Sequence, residues 1–130
     1  MTKQDYINYW KQSSSDDWNA VNDLFKSKHY MHALFFTHLL LEKLLKAHWV
    51  KDHAGDHPPR IHNLISLADK TKLKIDDDQR KFFERMNAYQ LEGRYPDYQS
   101  AMNKLVTRNL AAEIISETQQ ARQWLLKQLH

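Results

Sequence analysis

Cysteine is absent from the 130-residue chain. That excludes a disulfide framework, a thiolate nucleophile, and any zinc or iron–sulfur site built on cysteine. Glycine occurs only twice and proline three times. A β-sandwich or barrel needs many tight turns, so this scarcity argues for long helices with few connections. Two glycines 38 positions apart, Gly55 and Gly93, leave no room for a P-loop, a dinucleotide fingerprint or a Gly-x-Ser-x-Gly elbow. No hydrophobic run approaches the roughly 20 residues that span a bilayer: the most apolar stretch, Tyr30 to Leu41, is broken by His32, Thr37 and His38. The opening MTKQDYINYW lacks the basic-then-apolar layout of a signal peptide, so a soluble, cytoplasmic protein without a membrane partner is expected.

Against these absences, 42% of residues are hydrophobic and 12% aromatic, enough for one ordered domain over residues 1–130. The net charge is a mild +3. Histidine is the unusual residue: seven of eight lie between His29 and His62, with Lys43, Lys46, Lys51 and Arg60 in the same segment. Cationic character is thus concentrated in one region, which suits a phosphate-bearing partner such as a nucleotide or RNA. His48, His53, His57 and His62 are interrupted by a glycine and two prolines, and neither His-Glu-x-x-His nor Glu-x-x-His occurs. Ligands on one helix face need such spacings, so no metal site and no cofactor are assigned.

The hydrophobic spacing divides the chain into helices. Tyr6, Trp10, Trp18, Val21 and Phe25 mark the first segment, about Asp5 to Lys26. Its Ser13–Asp17 run leaves open one helix or two, with Asp16 or Asp17 capping the second. The second, about His29 to Asp52, carries an apolar face (Ala33, Leu34, Leu40, Leu41, Leu44, Leu45). Its opposite arc mixes His38, Glu42, Lys43 and Lys46 with Phe35, Leu39 and Trp49. A short helix around Ile61–Ala68 follows. A fourth opens at Asp76–Asp78 and stops at Gly93. A last helix starts near Asp97 or Ser100 and runs to the end, carrying Val106, Leu110, Ile114, Ala121, Leu125 and Leu129. The expected fold is all-α, an up-and-down bundle of four to five helices with one longer connection.

Two local patterns stand out. In LEKLLKA (41–47), Glu42 precedes Lys46 by four residues, the favourable order for an ion pair within a helix. In EGRYPDY (92–98), Gly93 can take a positive φ, Pro96 extends Tyr95, and Asp97 can cap the next helix. That turn would present Arg94 as a fork toward phosphate, with the flat ring of Tyr95 beside it. A ligand site is therefore expected between the second helix and this turn, lined by Lys43, Lys46, His62, Arg94 and Tyr95. The plainer alternative has Arg94 paired with Glu42 or Asp97 and Tyr95 in the core.

In order and spacing these patterns resemble the HEPN domain family (higher eukaryotes and prokaryotes nucleotide-binding). The resemblance rests on Asp17-Trp18, Tyr30-x-x-Ala33 and LEKLLKA. It continues with Pro59-x-x-His62-x-Leu64 and with Asn87-x-Tyr89-x-x-Glu92-x-Arg94-Tyr95-Pro96-Asp97. It implies a helical bundle, commonly a homodimer, often beside a minimal nucleotidyltransferase on a separate chain. Many members are ribonucleases of toxin–antitoxin and defence systems, marked by Arg, four to six residues, then His. No pair here fits: Arg60 precedes His62 by two, and after Arg80 the only histidine is His130, eight beyond Arg122. No catalytic residue is therefore carried over. The reading is a non-catalytic, dimeric HEPN-like module that binds a nucleotide or a partner protein. The alternative is a ribonuclease with a non-standard pair built from His62, Arg94 and Lys46.

Overall fold

A computed structural model describes all 130 residues. It is entirely helical: α1 (Lys3–Lys26), α2 (Tyr30–Asp52), α3 (Leu64–Asp69), α4 (Asp77–Met86), α5 (Pro96–Leu105) and α6 (Arg108–Gln128), with one 3-10 turn at Asn87–Tyr89. The bundle expected from the spacing is present, with six α-helices in place of four to five.

α1 is one continuous helix. Thr2 and Asp5 close a reciprocal capping box at its start. The weak Ser13–Asp17 stretch stays helical because packing overrides propensity. Ser14 is buried with its hydroxyl on the Lys11 carbonyl (2.7 Å), and Asp17 is buried beside Lys43. Only three residues separate α1 from α2, so the two run antiparallel. Lys3 Nζ accordingly reaches the Val50 carbonyl at the far end of α2 (2.6 Å).

α2 is the axis of the molecule. Leu34, Leu40, Leu41, Leu44 and Leu45 are fully buried, each contributing about 1.5–3 kcal/mol by removal from water. α6 packs on α2 and runs parallel to it: His48 and Lys51 near the C-terminus of α2 meet the Leu125 and Gln128 carbonyls near the C-terminus of α6. The long connection through α3, α4 and α5 makes that parallel arrangement possible. α3 and α4 close the core with Leu64, Leu67, Phe82, Phe83 and Met86.

Two boundaries differ from the spacing. α4 stops at Met86 and tightens into the 3-10 turn, so Gly93 (φ 77°) shapes the following turn and does not end the helix. The last helix is two helices. Val106 is extended, and the Thr107 hydroxyl accepts the Leu110 N–H (3.2 Å) as the N-cap of α6. Asp97 lies inside the first turn of α5, whose cap position is Tyr95, with Pro96 as the first helical residue.

The α1–α2 corner carries local strain. Lys28 sits at φ 66°, with its N–H on the Phe25 carbonyl and the His29 N–H on the Leu24 carbonyl, a Schellman closure. Glycine adopts that conformation without a Cβ penalty, though it loses more chain entropy on folding. Lys28→Gly is expected to raise unfolding stability by up to about 1 kcal/mol, read as a higher urea midpoint with unchanged slope.

Candidate functional site

The second face of α2, a mixed polar and aromatic arc in the sequence, is largely covered by α1 and by the chain entering α3. Glu42 is its centre, with its side chain only 5% exposed. Lys46 Nζ lies 3.0 Å from Oε2, and His62 Nδ1 lies 2.9 Å from Oε1. The Glu42–Lys46 pair expected along the helix is thus present, and it is buried. Lys46 also stands 5.5 Å from the centre of the Trp10 ring on α1. A lone exposed pair of this spacing contributes about 0.3–0.5 kcal/mol. A buried one matters more for what its removal leaves behind, an uncompensated charge.

His38, one turn before Glu42, is fully buried. Its Nε2–H donates to the His62 carbonyl at 2.9 Å, and its Nδ1 lone pair has no partner. Burial lowers its pKa to about 4, against a smaller opposing pull from Glu42, so the ring is neutral near pH 7. His62 is therefore held twice by α2, through its backbone by His38 and through its ring by Glu42. Nδ1–H faces the carboxylate, and Nε2 is directed outward on a side chain 44% exposed. There Glu92 Oε2 approaches to 3.8 Å from the EGRYPDY turn. The start of α3 is fixed by Asn63, which caps it, and by Asn87 Oδ1, which accepts the Leu64 N–H at 2.9 Å.

Of the five residues expected to line a ligand site, Lys46 and His62 meet on one carboxylate. Lys43 turns to Asp17 (2.8 Å) in the α1–α2 seam, where burial raises the Asp17 pKa against the pull of that lysine. Arg94 and Tyr95 stay on the turn. The Arg94 guanidinium lies 4.3 Å from the centre of the Tyr98 ring, and its Nε donates to the Gln90 carbonyl (3.3 Å). Tyr98 and Gln99 tie α5 back to the Ala88, Leu91 and Arg94 carbonyls, so the turn is braced. Tyr95 is 83% exposed, and Arg94 pairs with neither Glu42 nor Asp97, so the plainer alternative for both residues fails.

Glu42 as the hub, His38 as a backbone clamp and Glu92 as the turn residue facing His62 were not selected from the sequence. For His38 and Glu42 the available signal was their i, i+4 spacing on one arc. For Glu92 it was its place in the EGRYPDY segment that carries the resemblance. No three His, Asp or Glu side chains converge in a geometry that would hold a metal ion.

The HEPN domain model matches residues 7–129, and the chain belongs to the HEPN domain family. No curated protein and no solved structure matches it. The geometry links the segments that carry the resemblance: Asp17 meets Lys43, Glu42 meets His62, and His62 meets Glu92. Four segments far apart in sequence form one chain of contacts.

Two consequences are measurable. Glu42→Gln leaves Lys46 without its counter-charge and is expected to cost about 3 kcal/mol, and adding Lys46→Met should recover much of it. Urea unfolding of the two single variants and the double variant reads the coupling directly. Second, His38 is neutral when folded and has an ordinary pKa of 6.5 when unfolded, so protons favour the unfolded chain. Stability should be full above about pH 6.5 and fall by roughly 3 kcal/mol as pH drops toward 4. His48, whose pKa is also lowered by burial, adds to the same fall. His38→Gln should flatten this profile, and an unchanged slope would show that His38 is not its source.

Proposed function

We propose that this chain is a non-catalytic HEPN module, a homodimer that binds a nucleotide or a partner protein such as a separate minimal nucleotidyltransferase. The observation that carries this reading is the setting of His62. The outward histidine stands between two carboxylates, Glu42 and Glu92, while the guanidinium of the adjoining turn is stacked on Tyr98. Cleavage of a phosphodiester asks for a cation beside the histidine to hold the scissile group. Acids on both ring nitrogens repel that group instead. Together with the missing Arg-x4–6-His pattern, this favours binding over chemistry. Contact with a ligand falls to Arg94 and Tyr95 on the braced turn, since Lys46 is committed to Glu42 and Lys43 to Asp17. For the dimer, the support is Phe35, Leu39 and Trp49, which remain partly exposed on the largely buried α2.

One observation favours a second reading, a ribonuclease. A buried carboxylate on Nδ1 with Nε2 directed outward is the arrangement that orients a histidine as a general base. The two readings separate in an RNA-degradation assay. The wild-type chain is expected to leave RNA intact, indistinguishable from His62→Ala. Cleavage by wild type that is lost in His62→Ala would replace the binding reading with the catalytic one. Sedimentation at micromolar concentration should show a species of twice the 15.6 kDa chain mass, and a monomer alone would remove the dimer.

A further inference from the structure

On the side of the bundle where α1 packs against α6, the seam is polar. Asn8, Lys11, Gln12 and Ser15, at helical i, i+3, i+4 and i+7 positions, present one face of α1 to an open groove of about 350 Å³. Arg122 and Leu126 of α6 form its other wall. Neither cation has a counter-charge. Lys11 makes no ion pair, and no acid pulls on Arg122, whose guanidinium responds only to burial. Arg122 is half-buried, its Nε is fully enclosed without a hydrogen-bond partner, and its guanidinium lies 5.4 Å from the centre of the Trp18 ring. Asp16, next along α1, accepts from Gln12 Nε2 (3.1 Å) and does not line the groove.

The enclosed Nε–H is out of a groove ligand's reach, but the terminal nitrogens of the same guanidinium are not enclosed, make no hydrogen bond and are free to donate into the groove. The donors available are a planar guanidinium fork, an ammonium, two side-chain amides and a hydroxyl. A tetrahedral anion with three oxygens to satisfy and more than one negative charge matches this set better than a single carboxylate. Stacking on Trp18 holds the guanidinium before the ligand arrives, which reduces the ordering cost of binding.

We propose that the α1–α6 groove is a phosphate-binding site in which Arg122 and Lys11 clamp the anion and Asn8, Gln12 and Ser15 complete its hydrogen bonds. The site is separate from the His62 cluster and the Arg94 turn and does not depend on the function proposed above. The phosphate group is carried either by a nucleotide or by free phosphate.

Calorimetric titration of the full chain with inorganic phosphate, a nucleoside 5′-monophosphate and the unphosphorylated nucleoside tests it. Phosphate and the monophosphate are expected to bind and the nucleoside is not. A monophosphate that binds more tightly than phosphate assigns the site to a nucleotide, and equal affinities assign it to free phosphate. Arg122→Gln should weaken binding at least about tenfold. Lys11→Gln should weaken it severalfold, while the exposed Lys104→Gln, which removes the same charge elsewhere, should not. If Arg122→Gln does not fold, the contrast between Lys11→Gln and Lys104→Gln decides. No binding of phosphate or monophosphate at millimolar concentration overturns the proposal, as does equal binding of the nucleoside. Binding lost in Arg94→Ala but retained in both groove variants would also overturn it, and would leave the ligand at the turn.

Discussion

One buried carboxylate organises the polar half of this molecule. Glu42 lies on the helix against which α1, α3, α5 and α6 pack, and its two oxygens are divided between Lys46 of its own helix and His62 of the incoming chain. A carboxylate taken out of water is costly unless its lone pairs are satisfied. Covering Glu42 therefore obliges Lys46 to lie along α2 and His62 to be present. His38, on the same helix face, fixes the His62 backbone at a point where no regular secondary structure does so. The register of the α2–α3 connection follows from these two contacts and not from its prolines alone.

Such a device adds specificity where the apolar core supplies most of the energy. Leucines on α2 would pack acceptably under small sliding motions, because aliphatic contacts carry little direction. Hydrogen bonds at 2.9–3.0 Å do not tolerate such slides. Asp17 and Lys43 impose the same discipline on α1 against α2 at 2.8 Å. Both pairs lie in the segments on which the resemblance rests, and the fold brings those segments into contact.

The apolar half of the fold was legible in the sequence. The leucine stripe of α2, the start of α4 at Asp76 and the helical class followed from periodicity and from residue chemistry at helix ends. The points left open or misread have distinct causes. Ser13–Asp17 lowers helix propensity locally, but tertiary packing decides, and α1 stays whole. The four-residue spacing of Val106 with Leu110 and Ile114 continues across the α5–α6 break, because Val106 is buried from an extended backbone. Thr107 was the available signal, a good N-cap just ahead of an apolar run. At the site, the Glu42–Lys46 pair was legible from its i, i+4 spacing, but that the same carboxylate also holds the His62 ring was not. Which arc of α2 another helix would cover is a tertiary fact.

Local charge density was the least transferable signal. The His29–His62 segment gathers seven of the eight histidines with Lys43, Lys46, Lys51 and Arg60, and that concentration suggested an anion partner. In the folded protein Lys43 is matched by Asp17, Lys46 by Glu42, and Lys51 by the Gln128 carbonyl, while His38 and His48 are buried with pKa values lowered by desolvation. The cations without counter-charge in the α1–α6 groove, Lys11 and Arg122, stand 111 positions apart and leave no mark on a composition profile. An anion responds to the charge left over after pairing and to the geometry of its donors, not to the number of lysines in a window. Pairing takes Lys43 and Lys46 out of the segment that looks basic, while Lys11 and Arg122 stay unpaired in a seam that looks unremarkable in sequence.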